Sequence, residues 1–336
     1  MFRHTILTAG AMAAAMLLAG FQEAPVPAPP PQLTPALAAL AEDATAARDF
    51  DYMALKAEGV DLKAMSNAVW RRTMGPGRPQ RCLTEAEAEL QGNLAAAADA
   101  ADRATFDDDR AAASDAWSKW MLFAEGIENG QVVTEEPFKW ASDRYTALAG
   151  EANPRARELL RRTAKDQLYR YAFSGGAQVW GELSPAAKER VNGRLIRATC
   201  MLDHDNTEWL KADVAANGWY TIPATGAAAS NSAWLMAQHA DNDRDFQRHV
   251  LAILEPLAAS GDIRPANYAY LWDRVAVGEN RPQRYATQGQ CVAAGRWEPN
   301  TLEDPDRVEA LRAEVEIGTL AEYQTRMHGH CTGFGG

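Results

Sequence analysis

Asp243-Arg244-Asp245-Phe246-Gln247-Arg248-His249-Val250-Leu251-Ala252-Ile253-Leu254-Glu255-Pro256-Leu257 decides the fold class. Phe246, Val250, Ile253, Leu254 and Leu257 recur at 0, +4, +7, +8 and +11, the spacing of one apolar face of an α-helix. Asp243 stands where an N-cap accepts a free backbone N–H, and Gly261 where a helix stops. Downstream, Pro265 opens a helix with Tyr268, Leu271, Trp272 and Val275 on one face. Upstream, a helix is expected over 227–239, after a loop marked by Pro223 and Gly226, and a short one over 206–216, closed by Asn217-Gly218.

Further out the pattern stays helical. Thr84-Glu85-Ala86-Glu87 is a capping box opening a long Ala-rich helix. Trp117, Trp120, Met121 and Ala124 share a helix face. Helices are expected over 135–149, over 154–170, and from Ser184-Pro185 to Cys200. Residues 36–70 are Ala-rich and partly helical, and Gly75-Pro76-Gly77 breaks the chain. Alternation around Ala294-Gly295 predicts one β-hairpin over 284–298, and Asp304-Pro305 opens a last helix carrying Val308, Leu311 and Val315. The expected fold is mainly α, a helical array with one small β-hairpin near the C-terminus. The expected organisation is a helical N-terminal region over 36–202, a helical domain with the hairpin over 203–327, and a flexible Gly-rich tail over 328–336.

Residues 1–20 read as a secretory signal. Arg3 and His4 precede an apolar run over 5–19, shorter than the roughly 20 residues that span a bilayer. Prolines at 25, 27, 29, 30, 31 and 35 make residues 21–35 an extended tether. The expected product is a soluble periplasmic or secreted protein without a membrane span. The formal charge is −11, and removal of Arg3 with the signal makes it −12. That charge repels phosphate backbones and argues against nucleic acid as a partner. Cys82, Cys200, Cys291 and Cys331 fit an oxidising compartment better than a zinc site. They admit three pairings. Cys82–Cys200 with Cys291–Cys331 is preferred, since the second bond would tie the Gly-rich tail to the C-terminal region.

The stretch from Asn217 to Gln288 is rich in polar residues set among aromatics: Gln238-His239-Ala240-Asp241, Asp273-Arg274 and Gln283-Arg284-Tyr285-Ala286-Thr287-Gln288. Such residues at apolar spacing suit a small polar ligand. His239 is the candidate general base, with Asp241 to orient it. Gln238, Arg274, Gln283, Tyr285 and Gln288 are the candidate ligand contacts, Arg274 through its planar fork. In a regular strand Gln283, Tyr285 and Thr287 would share one face. His239 also fits a helix cap, and Asp273-Arg274 an ordinary ion pair. Asp203-His204-Asp205-Asn206 could join His239 and Asp241 in a mixed nitrogen and oxygen metal site, but nothing in the sequence brings the two clusters together. No metal or other cofactor is expected, and His328-Gly329-His330-Cys331 lies in the Gly-rich tail. There is no serine nucleophile elbow and no His-Glu-x-x-His helix.

The ordered set Gly218-Trp219, Gln238 to Asp241, Phe246-Gln247, Ala269 to Arg274 and Gln283 to Gln288 resembles an uncharacterised bacterial family described only as a domain of unknown function. The resemblance covers about residues 203–327. It departs in two places: Tyr220 replaces a proline, and Ala286 replaces a glycine. It implies a common domain and no activity, substrate or cofactor. If that glycine has φ > 0, Ala286 disturbs it. Two functions follow from the residues: a polar-ligand-binding or scaffold module, or a hydrolase of a polar cell-envelope compound with His239 as base.

Overall fold

The computed structural model describes residues 32–75 and 81–331. The expected signal and all but the last residues of the tether lie outside them. Thr34 caps the first helix and Pro35 begins it, so the tether ends earlier than its prolines suggest. The described residues hold fifteen α-helices and one two-stranded sheet. The first five helices are α1 (Pro35–Leu40), α2 (Ala44–Asp49), α3 (Tyr52–Ala57), α4 (Leu62–Arg71) and α5 (Glu85–Asp99). The middle of the chain forms α6 (Arg103–Glu128), α7 (Lys139–Ala147), α8 (Pro154–Gly175), α9 (Ala177–Trp180) and α10 (Pro185–Asn217). Then come α11 (Ile222–His239), α12 (Arg244–Ser260), α13 (Pro265–Gly278), β1 (Gly289–Ala293), β2 (Arg296–Pro299), α14 (Val308–Glu314) and α15 (Leu320–His328).

Local signals explain most of these boundaries. Thr84 and Glu87 close a reciprocal capping box at α5. Asp243 accepts the Phe246 N–H at the start of α12, and Gly261 ends that helix in the left-handed region. Gly226 has φ +81°, so regular helix in α11 starts after it, where the sequence put it.

Three apolar cores follow one another along the chain. The first gathers Leu37, Tyr52, Leu62, Leu90 and Leu94 from α1 to α5 with Phe106 of α6. The second surrounds Trp120, which is fully buried and meets the rings of Phe138, Tyr169 and Trp180 at 5.7–5.9 Å. The third packs α8 and α10 to α13 around Leu159, Leu210, Met236, Leu254 and Leu271. α10 gives Val191 and Leu195 to the second core and Leu210 and Val214 to the third. It also packs against α5, so it touches all three layers. Its 33 residues span about 50 Å.

That continuity corrects the expectation of two helices. The segment 206–216 is the C-terminal part of α10, and Asp203-His204-Asp205-Asn206 lies within the helix. Arginines of α8 make this tolerable: Arg170 pairs with Asp203, and Arg162 donates to Asn206 Oδ1 at 3.3 Å.

The hairpin forms at its expected turn, with Gly289 opposite Pro299 and Cys291 opposite Trp297. It is shorter than expected, because 284–288 is not a strand. α15 was not foreseen. It ends at His328, whose Nδ1 accepts the Trp297 N–H at 2.9 Å, so the start of the expected tail is held against the hairpin. Residues 332–336 lie outside the described residues.

Both preferred disulfides are present, Cys82–Cys200 and Cys291–Cys331. The first joins the lead-in to α5 to the middle of α10 across a sequence separation of 118. Closing so long a loop restricts the unfolded chain and stabilises the fold by up to about 5 kcal/mol in the chain-entropy account. The double variant Cys82→Ala/Cys200→Ala should therefore lose about 3–5 kcal/mol in urea denaturation; an unmoved midpoint would remove this bond from the stability argument.

Candidate functional site

The polar motifs separate into two groups once their partners are known. The first is architectural. Asp273, fully buried on α13, accepts the backbone N–H groups of Arg284 (2.8 Å), Tyr285 (3.1 Å) and Thr287 (2.9 Å), and the Thr287 hydroxyl at 2.9 Å. The loop 284–287 therefore wraps around a carboxylate and does not extend as a strand. Ala286 sits at the bend with φ +53° and is fully buried. Such a backbone costs an L-residue roughly 1–2 kcal/mol, and the family-like pattern has glycine there. Burial pushes the Asp273 carboxyl above its usual range, and the four donors hold part of that rise back.

Gln283 is equally committed. Its Nε2 donates to the carbonyls of Gln288 (2.7 Å) and Asn300 (2.9 Å), and its Oε1 accepts the Gln288 N–H at 2.9 Å. The Tyr285 carbonyl accepts from Arg312, itself fully buried, at 2.5 Å. The Tyr285 ring is buried against Trp272. Gln288 Nε2 reaches Thr287 Oγ1 at 3.3 Å. Of these expected ligand contacts, Tyr285 meets α13 and α14, whereas the side chains of Gln283 and Gln288 bond within the hairpin region.

Asp241 and Arg274 bind each other. Arg274 donates from Nε at 2.9 Å and from Nη2 at 2.5 Å, a bidentate pair. Burial would raise the Asp241 carboxyl, but Arg274 and Arg244 outweigh it and hold it below the usual range. Gln247 Nε2 bridges the Ala237 and Gln238 carbonyls to Asp241, locking the turn between α11 and α12. Gln238 is buried there. Asp241 is therefore not the carboxylate on His239; its charge is taken up by Arg274.

The second group is built by α8, α10 and the end of α11. The carboxylate on His239 is Asp166, 3.1 Å from Nδ1 and almost fully buried. Arg170, one turn on, donates from Nε to Asp166 at 2.9 Å and from Nη2 to Asp203. Gln167 adds a bond to Asp166 at 2.8 Å. Burial opposes the Asp166 charge, but His239 and then Arg170 prevail and hold its carboxyl down at about 2. Asp203 goes the other way. Burial raises it to about 6, and the neighbouring Asp166 charge adds to the rise against Arg170 and His239. Two carboxylates sharing one guanidinium do not ionise alike.

His239 and Asp203 line a cavity of about 850 Å³ with His204, Thr207, Lys211 and Asn242. Met74, Gly75 and Arg81 lie on its wall as well. With Asp166 ionised, Nδ1 of neutral His239 carries the proton and Nε2 the lone pair. Nε2 has no hydrogen bond among the described residues. One atom each of Asp166, Asp203 and His239 lies within 4.8 Å of the others, a donor set that would suit a metal ion. Arg170 already supplies the cationic charge between the carboxylates, so the arrangement suits proton transfer better than a dication. The two clusters that sequence left apart do meet, through Asp203 and His239 but without Asp241.

Asp166 and Arg170 were not singled out in the sequence. The i,i+4 spacing of Asp166 and Arg170 was the available signal, and it is shared by many solvent-exposed helix pairs.

With one helical unit and one acid–histidine cavity in view, comparison with known proteins adds a family. The family of unknown function DUF6624 matches residues 157–333, just over half of the chain. The protein belongs to that family. The match begins well before residue 203 and takes in Asp166, Arg170, Asp203 and His239. No curated protein and no solved structure is similar enough to match.

Two measurements test this geometry. Asp273→Asn keeps one acceptor oxygen and turns an NH2 toward backbone N–H groups, so about 2–4 kcal/mol of stability should be lost in urea denaturation; a change within about 0.5 kcal/mol would refute the architectural role. Carboxyl NMR titration should place Asp203 near 6 and Asp166 near 2. Because the folded value of Asp203 exceeds its ordinary 3.8, the folded state takes up its proton first. Asp203→Asn should thus be more stable than the parent at pH ~7, with the advantage vanishing as pH falls through about 6 to about 4. The Asp166 contribution runs oppositely, present above about 4 and lost as pH falls through about 2.

Proposed function

We propose that this is an exported protein that binds a small polar compound of the cell envelope in the His239 cavity and hydrolyses it. Export is supported by the signal-like residues 1–20 and by two disulfides. No described helix is long and apolar enough to cross a membrane. The observation that carries the catalytic reading is His239 itself: one nitrogen held by a buried, ionised Asp166, the other unbonded among the described residues, on a cavity wall shared with Asp203.

Nε2 of His239 takes a proton from a bound water, and the water oxygen bonds to the electrophilic carbon of the substrate. The bond to the leaving oxygen or nitrogen breaks as that atom takes a proton from the Asp203 carboxyl. A carboxyl raised to about 6 retains part of its proton close to neutral pH, which suits a general acid. Asp166 orients the ring and stabilises the imidazolium that forms, and Arg170 holds both carboxylates in place. Lys211 pairs with Glu208 and Asp243, each at 2.9 Å, and so enters this reading as a wall.

The runner-up is a binding or scaffold module without turnover. It is favoured by the commitment of Gln283, Tyr285 and Gln288 to hydrogen bonds within the protein itself.

Incubation with cell-envelope fragments containing amide, ester and glycosidic bonds, read by mass spectrometry, separates the two. Hydrolysis yields products that together carry one added water. His239→Gln should fold normally and lose turnover by about 10²–10⁴-fold. Thermal shifts without products would favour the binding module, and equal turnover by the parent and His239→Gln would remove His239 from the chemistry.

A further inference from the structure

Side chains of α2, α5, α6 and α10 enclose a cleft of about 480 Å³, within the roughly 300–1,000 Å³ range of small-ligand sites. A disulfide ties two of its walls together. Cys82 comes three residues before Glu85 of α5, and its partner Cys200 three residues after Arg197 of α10. Walls held at a fixed spacing need little reorganisation to receive a ligand.

Charge sets this cleft apart from the rest of the surface. The chain is acidic overall, at −11, yet the cleft sets Arg48, Arg194 and Arg197 against Glu85 and Glu89. Both carboxylates are taken. Glu89 accepts from Arg194 at 3.0 Å and lies 3.8 Å from Arg48, which is itself 3.6 Å from Glu85. Arg197 is the cation left over, partly buried and with no hydrogen-bond acceptor or ion pair among the described residues. Of its nitrogens only Nε is closed off from solvent, so the outer prongs of the fork stay within reach of a ligand. Arg190, two turns earlier on α10, differs: Nε and Nη2 are both closed off, and its guanidinium lies 4.5 Å from the Phe106 ring centroid.

The same cleft has an apolar side. Trp117 and Met121, one turn apart on α6, line it, the first partly buried and the second 39% exposed. An indole face and a thioether are good surfaces for a flat aromatic ring.

We propose that this cleft binds a small aromatic carboxylate, with Arg197 as counter-ion of the acid group and Trp117 and Met121 covering the ring. A carboxylate fits because the guanidinium fork meets its two oxygens in one plane. One negative charge brings three arginines and two glutamates to neutrality; a dianion would exceed that balance and be repelled by Glu85 and Glu89.

Isothermal titration with 2-naphthoate and with 2-naphthamide, which share a ring frame and differ in charge, tests the site. The acid should saturate one site per chain and bind about ten-fold more tightly than the amide, or better, with the preference shrinking as salt is added. Arg197→Gln should abolish the preference. Trp117→Leu should weaken both probes and leave their ratio unchanged. Equal binding of the two probes, no saturable binding of the acid, or undiminished preference in Arg197→Gln would overturn the proposal. Trp117→Leu tests the location independently should Arg197→Gln fail to fold: unchanged affinity for the acid in that variant would also overturn it.

Discussion

One helix has to remain continuous through three differently composed cores, and most of the structure depends on it. α10 meets α5, α6, α8 and α11 in turn. Its first turns pack against α5 and α6, its middle carries Cys200, and Asp203 follows one turn later on the wall of the His239 cavity. A kink at the Asp203-His204-Asp205-Asn206 cluster would separate Asp203 from Arg170 and break the acid pair. The arginines of α8 therefore act on fold and site together: they neutralise polar residues inside a long helix, and in doing so set two carboxylates to different protonation states.

The helical class and the hairpin turn were legible because they rest on local rules. The apolar stripe of α12, its Asp243 cap and its Gly261 stop need no information from elsewhere in the chain. The length of α10 was not legible, since four polar residues in a row read locally as a helix start and only α8 makes them tolerable. The start of the hairpin expected over 284–298 failed for a similar reason. Alternating Gln, Tyr and Thr satisfies a strand pattern, but the Asp273 carboxylate, ten or more residues earlier, draws the amides of Arg284, Tyr285 and Thr287 to one point.

His239 was recognisable as a candidate, and its true partner was not. Asp241 is nearest in sequence, whereas Asp166 is 73 residues away. Short-range reading also assigned Gln283, Tyr285 and Gln288 to a ligand, when their hydrogen bonds close on the protein itself. Polar residues among aromatics can mark a joint between elements as readily as a site. Arg190 attracted no notice because the arginines of α10 read alike in sequence; in three dimensions its Nε and Nη2 are buried without a hydrogen-bond acceptor among the described residues.

Under the export proposed above, the disulfide pattern has a consequence for how the chain matures. Cysteines pair in order of appearance, first with second and third with fourth. In a chain delivered N-terminus first into an oxidising space, each odd-numbered thiol meets its native partner as the next one to emerge. Correct connectivity then follows from the direction of delivery, without reshuffling of a mispaired intermediate.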